Sequence, residues 1–119
     1  MKFVYQEDTL KHVIHAIEND KIIGDFCIYK GVPYTMTISI EDEFQKKGIS
    51  RIMMRNMIEH VTLDDSKLLF IDVDASVGFW DHIGMRINRY GLDYKGKRNI
   101  EGRGYEKVIS WKKLKKFAL

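Results

Sequence analysis

The stretch that decides the fold is Tyr34–Val61, YTMTISIEDEFQKKGISRIMMRNMIEHV. Its first seven residues alternate apolar and polar side chains, which is the period of a half-buried strand. The acidic bend Glu41–Glu43 ends this strand, and apolar residues then recur at helical spacing from Ile49 to Val61. The stretch therefore predicts a strand, a turn that contains Gly48, and a helix in direct succession.

The turn Gln45–Ser50 predicts a binding site for phosphate oxygens. A glycine turn that opens a helix directly after a strand presents several unpaired backbone N–H groups at one point, beside the positive end of the helix dipole. Lys46 and Lys47 add positive charge next to these groups. This arrangement favours a ligand that carries phosphate, although the two lysine side chains are equally well explained as solvated turn residues.

Two further strands precede this stretch. His12–Glu18 and Ile22–Tyr29 flank Asn19-Asp20, a two-residue turn signal, so they form a predicted hairpin. With the strand Tyr34–Ile40 they make a predicted antiparallel meander of three strands. After the helix, the apolar run Leu68–Ile71 is consistent with a central strand buried on both sides.

The second half of the chain is predicted to add one helix and two strands. Asp74 or Ser76 would cap a helix of about ten residues that ends at Gly84. The predicted strands are Met85–Tyr90 and Tyr105–Trp111, separated by a long basic loop, Gly91–Gly104. The closing run Lys112–Phe117 is interpreted as a solvated end. This order predicts a fold that contains both helices and strands (α/β), organised as an α+β mixed sheet covered by two helices.

Composition places the chain among globular proteins. Its 119 residues are enough for one domain, spanning 1–119, and the net charge of +3 is mild. Cys27 is the only cysteine, so no internal disulfide can form and a reducing compartment is expected. No stretch has the length and apolarity of a signal peptide or a membrane span. We therefore expect a cytoplasmic protein, or a nuclear one if the source is eukaryotic.

Two motifs resemble those of the GNAT superfamily of N-acetyltransferases. Gln45–Ser50 is similar to the loop that binds the acetyl-CoA pyrophosphate, whose pattern is Q/R-x-x-G-x-G/A, and Phe70–Met85 is similar to the family's second hallmark, a strand leading into a helix with the signature F-Y-x-x-x-G-F. The resemblance covers roughly Ile14 to Trp111. It implies a mostly antiparallel central sheet of about six or seven strands with two main helices.

The resemblance also implies a function, the direct transfer of an acetyl group from acetyl-CoA to an amine without a metal. In the family, the backbone of two residues in the strand before the loop, here Ile38 and Ile40, pairs with the pantetheine arm, and Ile40 would lie nearest the thioester carbonyl. The implied cofactor-binding residues are Ile38, Ile40, Gln45, Lys46, Lys47, Gly48, Ile49, Ser50 and Trp80. Trp80 is interpreted as a core aromatic or as a wall beside the acetyl sulfur.

Several departures from the family pattern limit what the resemblance implies. Ser50 replaces the last Gly or Ala of the loop, and Trp80 stands where many members carry a tyrosine that protonates the leaving thiolate. Tyr34 occupies the position of the glutamate base in the histone-acetyltransferase branch, so no general base or acid is assigned. Only Glu7–Lys11 fills the place of two helices that usually wall the acceptor groove. We therefore expect an unusually open groove, which favours a protein lysine or N-terminus over a small polyamine as acceptor.

Other interpretations stay open. The missing base and Trp80 are also compatible with a catalytically idle acyl-CoA-binding regulatory module. A nucleic-acid binder using the Gly91–Gly104 loop and the lysine-rich end is disfavoured by the modest charge, and a membrane partner by the absence of any long apolar stretch. A second copy that completes the groove, making a homodimer, is a further alternative. His12 and His15 point to opposite faces of their strand, which argues against a metal site, and Cys27 is interpreted as a buried apolar residue.

Overall fold

The structure is a computed structural model and describes residues 1–31, 34–72, 95–98 and 105–118. Within these ranges the chain forms one sheet of seven strands, in the order β1-β2-β3-β4-β5-β7-β6. The strands are β1 Lys2–Glu7, β2 Lys11–Glu18, β3 Lys21–Tyr29, β4 Tyr34–Ile40, β5 Leu68–Asp72, β6 Lys95–Arg98 and β7 Tyr105–Ser110. The described helices are α1, Ile49–His60, and α2, Trp111–Ala118. No helix in these ranges is long and apolar enough to cross a bilayer.

The first four strands form an antiparallel meander, one strand longer than predicted. β1 adds Lys2–Glu7 at the edge, and only residues 8–10 connect it to β2. Asp8 closes this short turn, because its Oδ1 accepts from the N–H groups of Leu10 at 2.7 Å and Lys11 at 2.9 Å. The prediction that no helix separates the first two strands is confirmed.

The hairpin between β2 and β3 is confirmed at the predicted turn. Asn19 and Asp20 both have positive φ, 52° and 60°, as the favoured two-residue hairpin turn requires. A β-bulge interrupts the pairing after Ile17, so that Ile17 lies opposite Ile22 but Ala16 lies opposite Gly24. Ile23 is the extra residue of the bulge, and it is buried although the preceding Ile22 is half exposed.

The only parallel pair among the described strands joins β4 to β5, and it is short. It comprises the three pairs Tyr34–Leu69, Thr35–Phe70 and Met36–Ile71. The last four residues of β4 therefore extend beyond this ladder. β5 also pairs with β7, so it lies inside the sheet as predicted. The prediction that this strand is buried on both faces is wrong at Leu68, which is 50% exposed.

The core lies between the sheet and the two helices. Alternate residues of β2, β3 and β4 pack against α1, and its three methionines Met53, Met54 and Met57 are fully buried, as predicted. Ile52, which the helical spacing placed on the buried side, is instead 39% exposed. The mixed sheet and its mostly antiparallel pairing confirm the predicted fold class.

The interpretation of the lysine-rich end as solvated is wrong. The last strand ends at Ser110, and Trp111 begins α2, whose buried residues are Trp111, Leu114, Phe117 and Ala118. Ser110 caps this helix, because its Oγ accepts from the N–H of Lys113 at 3.2 Å. The lysines lie between the apolar positions, and one of them, Lys115, pairs with Asp65 at 2.6 Å.

The predicted basic loop Gly91–Gly104 contains a strand in the part that the structure describes. Its residues Lys95–Arg98 form β6, which pairs with β7 at the edge of the sheet. Three other predictions lie outside the described residues: the helix that begins at Asp74 or Ser76, the strand Met85–Tyr90, and the second motif from Val73 onward, including Trp80.

Candidate functional site

The turn between β4 and α1 has the geometry that the sequence predicted. A 3₁₀ turn over Asp42–Phe44 follows β4, and Gly48 precedes the first helical residue with φ 78° and ψ 6°, the left-handed conformation that favours glycine. An added Cβ at Gly48 would have no heavy atom within 4 Å. The backbone at this point is therefore approachable from outside.

Backbone N–H groups accumulate at this turn. Within the described residues, the N–H groups from Lys46 to Arg51 donate to no acceptor, and no side chain caps the helix. The first bonded amide is that of Ile52, whose nitrogen lies 3.3 Å from the carbonyl oxygen of Gly48. Unpaired donors at a helix N-terminus attract anions through both hydrogen bonding and the helix dipole.

The side chains of the turn have separate roles. Gln45 folds back onto the turn, where its Nε2 donates to the carbonyl oxygen of Ile40 at 2.9 Å and to Oδ1 of Asp42 at 3.2 Å. Ile49 points inward and is 6% exposed, so only its backbone can face a ligand. Lys46 and Lys47 are exposed, with Nζ of Lys47 5.7 Å from the ring centroid of Phe44. Ser50 is half-buried and lies in the first turn of α1.

The end of β4 presents backbone groups on the side away from β3. The N–H of Glu41 donates to the carbonyl oxygen of Ile23 at 2.9 Å, so Glu41 is turned toward β3. Because backbone groups alternate in direction along an antiparallel strand, those of Ile38 and Ile40 point the other way. That side carries β5 only as far as Met36. The carbonyl of Ile40 takes the Gln45 amide, which leaves the N–H groups of Ile38 and Ile40 and the carbonyl of Ile38 directed beyond the ladder.

Gly24 holds this end of β4 close to β3. It lies opposite Ile40, and a Cβ at Gly24 would stand 2.8 Å from the carbonyl oxygen of Ser39. Any larger residue would push the two strands apart at the point where β4 leads into the turn. The position of the turn therefore depends on a glycine in the neighbouring strand.

The structure thus brings Ile38, Ile40 and the turn Gln45–Ser50 together at one corner of the sheet, while Trp80 lies outside the described residues. The described side chains include no group of three His, Cys, Asp or Glu placed to hold a metal. Cys27 is buried as predicted, and burial raises the pKa of its thiol, which makes it a poor nucleophile.

A pair that sequence reasoning missed lies on the face of the sheet opposite α1. Nδ1 of His15 and Oδ1 of Asp25 are hydrogen-bonded to each other between β2 and β3. The two residues are ten positions apart, and only the register of the hairpin brings them together.

No known family profile matches the chain. Two crystal structures resemble it. A provisionally assigned acetyltransferase of the GNAT family from Desulfovibrio desulfuricans has a TM-score of 0.55 and 19% identity, over 85% of this chain and 68% of that one. A GNAT family acetyltransferase from Elizabethkingia anophelis, with acetyl-CoA bound, has a TM-score of 0.50 and 18% identity, over 84% of this chain and 74% of that one. The chain therefore has the fold of the GNAT acetyltransferases.

Proposed function

We propose that this protein is an N-acetyltransferase that moves an acetyl group from acetyl-CoA directly to an amine. The observation that carries the proposal is the run of backbone N–H groups from Lys46 to Arg51, which find no acceptor among the described residues. They surround the left-handed Gly48 at the start of α1. The Elizabethkingia protein, whose fold this chain shares, was crystallised with acetyl-CoA bound.

The turn would hold the diphosphate of the donor. Phosphate oxygens accept hydrogen bonds from consecutive amides, and the open space around Gly48 allows them to approach the backbone closely. Lys46 and Lys47 are exposed at the same turn and would add long-range attraction. The Gln45 side chain fixes the shape of the turn through its bond to Ile40.

The end of β4 would align the rest of the donor. An extended pantetheine arm carries amide groups, and Ile38 and Ile40 direct backbone donors and an acceptor to the side where the arm would lie. A backbone N–H directed at the thioester carbonyl would stabilise the negative charge that develops on its oxygen. This role needs no particular side chain at either position.

The acceptor is an amine, and a protein lysine or N-terminus is favoured over a small polyamine. Three residues connect β1 to β2, so no helix stands where the family usually walls the acceptor groove. A lysine ammonium, with a reference pKa near ~10.4, must lose a proton before it can attack the thioester. We also propose that the chain is organised as a single domain and that the protein is located in the cytoplasm.

Two measurements test the proposed function. Calorimetry with acetyl-CoA measures donor binding, and the release of free thiol is followed with a panel of polyamines, peptides and histones, each product being read by its mass shift. We expect binding together with thiol release for at least one amine class. Binding without thiol release from any amine would instead support the idle acyl-CoA-binding module, and no binding at all would refute both.

A further inference from the structure

β1 leaves a row of backbone groups unpaired at the edge of the sheet. The N–H of Asp8 donates to the carbonyl oxygen of Lys11 at 3.0 Å, so the backbone of Asp8 is turned toward β2. Because backbone groups alternate in direction along an antiparallel strand, the odd-numbered residues of β1 face away from β2. These outward residues are Phe3, Tyr5 and Glu7. Within the described residues, their backbone N–H and C=O groups have no partner.

The two edges of the described sheet differ in charge. β6, at the far edge, has the sequence KGKR, with three cations and no anion, so two copies of this strand would repel each other. β1 has the sequence KFVYQE, in which one cation and one anion flank a partly apolar centre. The side chains of Phe3, Val4 and Tyr5 are half-buried, so part of each remains open to contact. An edge strand of this kind is a template for pairing with another chain.

The direction of these backbone groups restricts how β1 could pair with a second β1 about a two-fold axis. In an antiparallel pair, hydrogen bonds are exchanged between residues that both face the partner strand. In β1 the residues that can do so are the odd-numbered ones. A register centred on Tyr5 is the one that pairs all three outward residues with one another. It places Tyr5 opposite Tyr5 of the second copy, and Phe3 opposite Glu7 of the second copy.

The same register brings opposite charges together. Phe3 and Tyr5 pack against the core, so the even-numbered side chains of β1 lie on the other face of the sheet. On that face, Lys2 would lie opposite Asp8 of the second copy, and the two-fold axis would produce this contact twice. Within the described part of the chain, Lys2 has no ion-pair or hydrogen-bond partner, and Asp8 uses only Oδ1 to close its turn. Opposite charges that face each other across an antiparallel pair stabilise it.

We propose that the protein forms a two-fold dimer in which β1 pairs antiparallel with β1 of a second copy, in the register centred on Tyr5. Each copy presents the same surface, so the contact closes on itself and leaves no β1 edge open for further chains. The sheets of the two copies join into one continuous sheet. β2 and β3 separate this edge from β4, so the turn that precedes α1 stays open in the dimer. The inference does not depend on the proposed function.

Sedimentation equilibrium on the wild type, on Lys2→Glu and on Lys112→Glu tests the dimer and its charge pairing. The wild type should sediment with twice the mass of one chain. Lys2→Glu turns the attraction to Asp8 into a repulsion at both symmetric contacts, so it should raise the dissociation constant about tenfold. Lys112 is the matched control, because it is an exposed lysine on α2, outside the proposed interface. Lys112→Glu should dimerise as the wild type does.

Oxidation of Tyr5→Cys tests the position of the two-fold axis. In the proposed register the two thiols stand across one hydrogen-bonded pair, with about 5.5 Å between their Cα atoms, a separation that a disulfide can bridge. Lys2→Cys is the matched control. Lys2 is the more exposed residue, but the two copies of it would stand about 20 Å apart along the paired strands. We expect a disulfide-linked dimer from Tyr5→Cys and none from Lys2→Cys, since Cys27 is buried in both variants.

Hydrogen exchange in the unmodified protein keeps the test decisive if Tyr5→Cys does not fold. The amides of Phe3, Tyr5 and Glu7 should exchange slowly in concentrated solution and lose this protection on dilution, because only the second copy supplies their acceptors. A wild type that sediments as a single chain in concentrated solution would overturn the inference. A dimer in which these three amides exchange as fast as unpaired ones would also overturn it, and so would a disulfide-linked dimer that forms from Lys2→Cys but not from Tyr5→Cys.

Discussion

Replacing Gly48 with glutamate should weaken acetyl-CoA binding by about 30-fold or more while the protein stays folded. The structure separates the two effects, because an added Cβ at Gly48 has no heavy atom within 4 Å. The cost to folding is therefore limited to the backbone. A side chain at the observed φ of 78° costs about 1 kcal/mol, which a folded domain tolerates.

The cost to binding is larger because of charge. A carboxylate placed about 5 Å from a diphosphate with two charges is repelled by about 2 kcal/mol, even at the dielectric of water. That energy corresponds to a loss of about 30-fold in affinity. Gly48→Gln is the matched control, because it has the same backbone strain and nearly the same shape but no charge.

Calorimetry with acetyl-CoA on the wild type and both variants measures the difference, and thermal unfolding checks that each variant is folded. We expect Gly48→Gln to bind more weakly than the wild type and Gly48→Glu to bind far more weakly still. Unchanged affinity in Gly48→Glu would refute the assignment of this turn. Equal losses in both variants would refute the charge argument and leave close backbone approach as the cause.

Three further predictions concern the turn, the second helix and a buried histidine. Gln45→Ala removes the bond to the Ile40 carbonyl, worth about 1 kcal/mol, and should weaken acetyl-CoA binding about fivefold by calorimetry; unchanged affinity would show that the turn keeps its shape without this side chain. Leu114→Ala should lower the free energy of unfolding by about 2–5 kcal/mol in urea, because Leu114 is fully buried, whereas Lys112→Ala should change it by less than about 0.5 kcal/mol; equal effects would contradict the packing of α2. Burial lowers the pKa of His12, so the unfolded chain binds a proton at this residue more readily than the folded protein does. The free energy of unfolding should therefore decrease as pH falls through about 6.5. In urea unfolding at pH 7.5 and 5.5, His12→Gln should weaken this pH dependence, and an identical dependence in the variant would assign the effect to other groups.

The sequence was most informative where one local rule decides the structure. The alternation in Tyr34–Ile40 and the glycine at Gly48 are enough to place β4, the turn and α1, because each depends on residues close together in the chain. The Asn19-Asp20 turn is similar, since few other residues accept two consecutive positive φ values.

Other elements needed information that lies elsewhere in the chain. The segment Lys95–Arg98 has no apolar alternation, and it is a strand because β7 supplies a pairing edge. α2 was detectable, since Trp111, Leu114, Phe117 and Ala118 follow helical spacing, but the lysines between them favoured the wrong interpretation.

The pair His15–Asp25 shows why the side-chain chemistry could not be predicted. A regular hairpin closed by Asn19-Asp20 would place His15 opposite Gly24. The bulge at Ile23 shifts the register by one residue, which brings Asp25 opposite His15 on the same face. A bulge of this kind has no clear signature in a single sequence. The contact between His15 and Asp25 therefore depends on one inserted residue in β3.

The corner formed by β4 and the turn presents mainly backbone groups, and few side chains, to a binding partner. Ile38 and Ile40 contribute amides and a carbonyl, and the six consecutive residues Lys46–Arg51 contribute further amides. Binding through such a surface requires a particular backbone shape but places few demands on which amino acid stands at most of its positions. If this surface binds the donor as proposed, most of these positions could be substituted during evolution without loss of activity. Fold likeness at 18% and 19% identity, with no profile detecting the chain, is the outcome expected of a site encoded in this way.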